Sequence, residues 1–150
     1  FFCPYHLCMK DPHNLQRFVE AQEGVKDAVR RELAEGAKRS HWMWFVFPQV
    51  HGLGMSMMAQ RYAIRSLDEA KAYLEHPVLG KRLREWTELL LQLEGKSAQE
   101  IFGYPDYLKF RSSMTLFAQV AEQGSVFERA LEKYYDGEPD GKTLSILGIR

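Results

Sequence analysis

An all-α fold, a compact single domain of about six to eight helices with no sheet, is what the sequence predicts. Serine stands three residues before glutamate at Ser66/Glu69, Ser97/Glu100 and Ser125/Glu128. In that pattern each partner satisfies an orphan donor at a helix start. No segment keeps the strict apolar–polar alternation of a half-buried strand. The stretch HWMWFVF, from His41 to Phe47, alone reads as a strand, and it has no second strand to form a ladder.

Asn14 is expected to cap a first helix with Leu15, Phe18, Val19, Val25, Val29 and Leu33 mainly on one side, ending near Gly36. Ser40 to Val46 reads as a short, almost wholly buried helix broken before Pro48. Another helix begins near Ser56. The first serine–glutamate pair opens a helix from Leu67 to Glu75, stopped by His76 and Pro77 because a residue before proline is pushed out of the helical region. Pro77 suits the first position of the next helix, which turns Val78, Leu79, Leu83, Trp86, Leu89, Leu90 and Leu93 inward and stops at Gly95. This helix is expected to be central. A short turn after Ser97 ends at Gly103. The helix from Tyr107 to Ala121 then places Leu108, Met114, Phe117 and Val120 only loosely on one face, with Phe110 and Leu116 elsewhere, so burial on more than one side is expected. Val126 to Tyr135 and a short helix around Thr143 to Leu147 complete the chain.

A chain of 150 residues is long enough to bury about 68–70% of its unfolded surface around one core. Twenty basic residues balance twenty acidic ones, so no net field draws nucleic acid or an anionic membrane, and the basic clusters lie among acids as solvated helix faces do. Nucleic acid is not an expected partner. The longest apolar run, Trp42 to Phe47, is far below the roughly 18 residues of a membrane span. The absence of an export pattern points to a reducing, cytoplasmic location. Cys3, His6, Cys8 and His13 are zinc-ligand types in none of the familiar spacings, so no metal is expected. MKDPHNLQRF reads as a natural start at Met9, which makes 9–150 the domain and 1–8 an extension or a non-native remnant.

Three stretches carry residues suited to chemistry. SHWMWFVFPQ sets His41 and Gln49 at either end of a cluster containing Trp42, Trp44, Phe45 and Phe47, and aromatic walls with a few polar groups build small-molecule sites as well as cores. In VHGLGMSMMAQRYAI, Gly52 and Gly54 precede the helix near Ser56. Free amides there, with Arg61 on the second turn, suit a phosphate or carboxylate, or form an ordinary turn. Met57 replaces the third glycine of a dinucleotide fingerprint, and no cofactor is expected. YPDYLKFRSSMTLF packs Asp106, Lys109, Arg111, Ser112, Ser113 and Thr115 into ten residues. Serine and threonine are poor interior helix formers, so their density serves either a tight helix crossing or a ligand. HExxH, a P-loop and a Gly-x-Ser-x-Gly elbow are all absent.

In this order SHWMWFVFPQ, GLG, RYAI, SLDEA, HPVLGKRL, IFGYPD and KFRSSMTLF resemble the domain of unknown function family DUF1810, over about Asn14 to Gly148. The resemblance implies a compact multihelical bundle and supports Met9 as the start. Some members of that family bear the label calpastatin. That label does not fit here, because such an inhibitor is long and largely disordered, whereas this chain is aromatic and core-forming.

Two functions follow as expectations. The first is a site for an anionic small molecule, a nucleotide or sugar-phosphate derivative, between the SHWMWFVFPQ and KFRSSMTLF segments. Trp42 or Trp44 would stack on a ring, with Gln49 and the hydroxyls of Ser112, Ser113 and Thr115 also binding the ligand. Arg61, Lys109 or Arg111 would hold anionic groups, and His41 or Asp106 would serve as acid or base in hydrolysis. The alternative is a non-enzymatic module that receives a protein partner on the aromatic segment.

Overall fold

The first helix starts on Asp11. Its carboxylate accepts hydrogen bonds from the Leu15 and Gln16 amides at 2.8 and 3.0 Å, while Asn14, expected as the cap, takes a left-handed conformation with φ 52°. The structure, a computed structural model, describes residues 11–149. The expected start at Met9 and the cysteine–histidine set with Cys3, His6 and Cys8 fall outside the described residues.

Ten helices occur among the described residues, more than the six to eight expected. They are α1 (Gln16–Glu23), α2 (Lys26–Glu35), α3 (Met43–Val46), α4 (Met57–Arg61), α5 (Leu67–Glu75), α6 (Leu79–Leu91), α7 (Ala98–Phe102), α8 (Asp106–Ala118), α9 (Val126–Tyr135) and α10 (Gly141–Leu147). Part of the excess comes from a break in the expected first helix. Gly24, a weak helix former, lets the Val25 amide turn back to Gln22 O at 3.1 Å. Gln22, wholly buried at that break, donates to Phe45 O and to the Tyr73 hydroxyl, and accepts from Arg82. Three of the ten, α3, α4 and α7, have only four or five residues.

Of the three capping pairs, only Ser97 and Glu100 form the reciprocal box. Ser66 and Ser125 do accept from the amides three residues on, but Glu69 reaches Arg65 N and Glu128 reaches Gly124 N. No strand forms among the described residues. One isolated parallel bridge pairs Val50 with Ile64, through His51 N to Ile64 O at 2.8 Å and Ile64 N to Gln49 O at 2.9 Å. This bridge anchors the loop from Gln49 to Ser56.

Helix α6 is central as expected. It packs on α2, α5 and α9, burying Leu79, Leu83, Trp86 and Leu90. Helix α8 packs on α5, α7, α9 and α10, which explains its loose periodicity: every residue from Ser112 to Phe117 is buried. Phe47, Phe102 and Phe110 meet between them, with centroids 4.8 to 6.2 Å apart. No helix among the described residues is long and apolar enough to cross a membrane.

Candidate functional site

The aromatic segment is organised from below by Glu32 on α2. Its buried carboxylate accepts from the Arg39 and Ser40 amides, the Ser40 hydroxyl at 2.5 Å and Trp42 Nε1 at 3.0 Å. Burial pushes the carboxyl up, but these donors outweigh it and bring it down to about 2. Trp42 is therefore held in place, wholly buried, with Lys38 Nζ 5.0 Å from its ring centre. Met43, Phe45, Val46 and Phe47 are buried as well. The segment expected to offer a partner surface is core instead, because each inward side chain of α3 finds a hydrophobic neighbour.

Lys38 donates to Ser40 O at 2.6 Å and pairs with Asp106 Oδ2 at 2.8 Å, with both side chains mostly shielded. Asp106 also faces Lys109 Nζ at 3.7 Å. That carboxylate ties the α2–α3 connection to the start of α8. His41, the other residue expected to act on protons, is exposed.

Between the Gln49–Ser56 loop and the first turns of α8 lies an open cleft of about 540 Å³. Gln49, Lys109, Arg111 and Ser112 line it, so the structure does bring the end of one expected segment to the other. It leaves out Trp42, Trp44, Arg61, Ser113 and Thr115. Trp44 is half-buried nearby, with Lys109 Nζ 5.5 Å from its ring centre. Aromatic and apolar surface in the cleft comes instead from Tyr104, 80% exposed, Met55, 82% exposed, and Leu108. The sequence held a signal for Tyr104 and Met55: large apolar side chains in turns, outside any helical period, have no core face to join.

Lys142 and Asp140, from the start of α10, complete the polar lining. Arg111 is aimed by its Nε, which donates to Glu138 O at 2.8 Å, and its guanidinium lies over the Tyr135 ring at 5.8 Å. Neither Arg111 nor Lys142 has a carboxylate within ion-pair distance among the described residues. Asp140 is occupied: its Oδ2 accepts from Ser112 Oγ at 3.1 Å, Thr143 N at 3.1 Å and Thr143 Oγ1 at 2.5 Å. Thr115 Oγ1 accepts from Asp140 N at 2.8 Å and donates to Arg111 O at 2.8 Å. Two of the clustered hydroxyls thus dock α10 on α8. Ser113 Oγ is buried without a hydrogen-bond partner among the described residues.

The helix after Gly52 and Gly54 starts where expected, with Ser56 capping Ala59 N at 3.1 Å. Gly54 lies against α4 so closely that a Cβ would sit 2.7 Å from that of Ala59. Arg61, at the far end of α4, points to a different depression of about 440 Å³ that it shares with Arg17, Arg65 and Ser66. The expected pairing of Arg61 with the glycine loop does not form.

The model of the family described as "Protein of unknown function (DUF1810)" matches residues 12–147. Among solved structures, the crystal structure of the conserved hypothetical protein Rv1873 from Mycobacterium tuberculosis is 53% identical, with a TM-score of 0.91, over 93% of this chain and 100% of that one. No curated protein matches the chain. With almost its whole length matched, the chain belongs to the DUF1810 family.

Proposed function

We propose that the cleft between the Gln49–Ser56 loop and α8 binds an anionic small molecule with a flat or apolar body, in the class of nucleotide and sugar-phosphate derivatives. The observation that carries this reading is the charge of the lining: Lys109, Arg111 and Lys142 face one concavity, against the single carboxylate of Asp140. In a chain with no net charge, such a local excess attracts anions selectively. The solvated faces of Tyr104 and Met55 add apolar surface that a ligand would remove from water, worth about 25 cal/mol per Å².

Binding fits the site better than hydrolysis. No histidine lines the cleft, Asp106 serves Lys38 and Lys109, and Asp140 is held as the cap of α10. The alternative of a protein-interaction module on the aromatic segment has less surface to use, since Trp42, Met43, Phe45, Val46 and Phe47 are buried and Trp44 is half-buried.

The test is a calorimetric and thermal-shift titration with nucleoside mono- and diphosphates and sugar phosphates. A ligand at 100 times its Kd stabilises the fold by about 2.7 kcal/mol. Lys142 and Tyr104 are exposed and can be changed without disturbing the core. Lys142→Gln and Tyr104→Ala are each expected to weaken the binding about tenfold. No saturable response to any of these compounds, or one untouched by both substitutions, would end the proposal.

A further inference from the structure

The second depression, lined by His13, Arg17, Arg61, Arg65, Ser66 and Glu69, has a different chemistry. Its one carboxylate is already matched. Glu69 Oε2 pairs with Arg17 Nη2 at 2.9 Å, and Oε1 accepts from the Arg65 amide at 3.1 Å. Arg17 is matched too: its remaining donors go to His13 O, Asn14 O, Arg61 O and Ala63 O at 2.6 to 2.9 Å. That leaves the guanidinium groups of Arg61 and Arg65. Both are exposed, and neither meets a carboxylate within ion-pair distance among the described residues. The Arg61 guanidinium rests 5.5 Å from the centre of the Tyr62 ring. Their backbones are pinned, Arg61 O and Ala63 O by Arg17 and Ile64 by the bridge to Val50. Two unneutralised forks are thus carried on one fixed segment at the edge of one concavity.

We infer that Arg61 and Arg65 form a second, separate anion site that takes the dianionic phosphoryl group of a small, polar phosphomonoester. Guanidinium presents paired N–H donors that match two phosphate oxygens at once, and a dianion with three terminal oxygens can engage two such forks. A phosphodiester, with one charge and two terminal oxygens, offers two forks less charge and fewer acceptors and is held more weakly. Among the lining residues only Pro12 is apolar, so the rest of the ligand is expected to be hydroxylated, as a sugar or glycerol is, and not a flat ring. This site does not depend on the cleft beside α8, since the two share no lining residue.

The experiment is isothermal titration of the full 150-residue chain with inorganic phosphate, glycerol 3-phosphate and dimethyl phosphate. Constant ionic strength and a pH of about 8, above the second ionisation of the monoester near 6 and of inorganic phosphate closer to neutrality, keep the first two mainly dianionic. Both dianions are expected to bind saturably, with glycerol 3-phosphate the tighter and dimethyl phosphate at least tenfold weaker. Arg61→Gln and Arg65→Gln are each expected to weaken phosphate about tenfold, whereas Lys142→Gln in the other cleft leaves it unchanged. The Arg65 side chain is exposed and makes no ion pair among the described residues, so Arg65→Gln keeps the fold and decides the matter if Arg61→Gln does not. Absence of saturable phosphate binding, equal affinity for the diester, or loss through Lys142→Gln with Arg65→Gln unaffected would each overturn the site. Failure of the cleft beside α8 would instead show as nucleotide binding that Lys142→Gln and Tyr104→Ala leave intact.

Discussion

The carboxylate of Glu32 gathers two amides, a hydroxyl and an indole, and so determines how residues 39 to 42 leave α2. Its folded pKa, about 2, lies below the ordinary value of 4.5. Stability from this residue is therefore fully present above 4.5 and is lost as the pH falls from there toward 2, up to about 3 kcal/mol in all. His76 contributes in an earlier window. Burial lowers its pKa beneath the ordinary 6.5, opposed by Asp11 and assisted by Arg82, and its Nδ1 accepts from the Val78 and Leu79 amides. The unfolded chain takes up that proton first, so stability begins to fall below about pH 6.5. Urea unfolding between pH 7 and pH 3 is expected to show both losses. In Glu32→Gln the lower-pH loss shrinks, while the protein at pH 7 is less stable by about 2–3 kcal/mol because two amides lose a charged acceptor.

At the scale of elements, the turn between α5 and α6 brings two backbones into close approach. His76 ends α5 in an extended conformation, ahead of Pro77, and α6 must start again at Leu79. A Cβ on Gly80 would lie 2.0 Å from the Leu74 carbonyl oxygen, a backbone atom that cannot swing aside. Gly80→Ala is thus expected to cost about 3 kcal/mol or more, read as a lower urea midpoint with an unchanged m-value. Helix α5, with its bounds at Leu67 and Glu75, was legible because a serine cap and a proline stop act locally, and α9 because Ser125 does. The split between α1 and α2 was not. Its position depends on Gln22 reaching Phe45 and Tyr73, residues remote in the chain.

Across the whole molecule, Arg17 joins α1 to the segment from Arg61 to Glu69 and shields a buried carboxylate. Arg17→Met strands Glu69 without its cation, and a loss of about 3–5 kcal/mol is expected, measurable as a fall of roughly 10 °C in melting temperature. The same residue lines the arginine depression and holds the Arg61 carbonyl, so its loss is also expected to weaken phosphate there. Nothing in the neighbourhood of Arg17 in the sequence announces this role, because all but two of its partners lie more than forty positions away.

What the sequence determined unaided was the helical class, the central place of α6, the many-sided burial of α8 and the family, since these follow from periodicity, caps and motifs read over short distances. Residues Gln49, Lys109, Arg111 and Ser112 were also legible as a polar set, although not their companions Tyr104, Met55, Asp140 and Lys142. Tertiary structure alone decided which charged groups stay unmatched. A carboxylate or guanidinium is neutralised or left open by whatever partner folding brings within a few ångströms, and that assigns Asp106 to Lys38, Glu69 to Arg17, and leaves Arg61, Arg65, Arg111 and Lys142 facing solvent in two separate hollows.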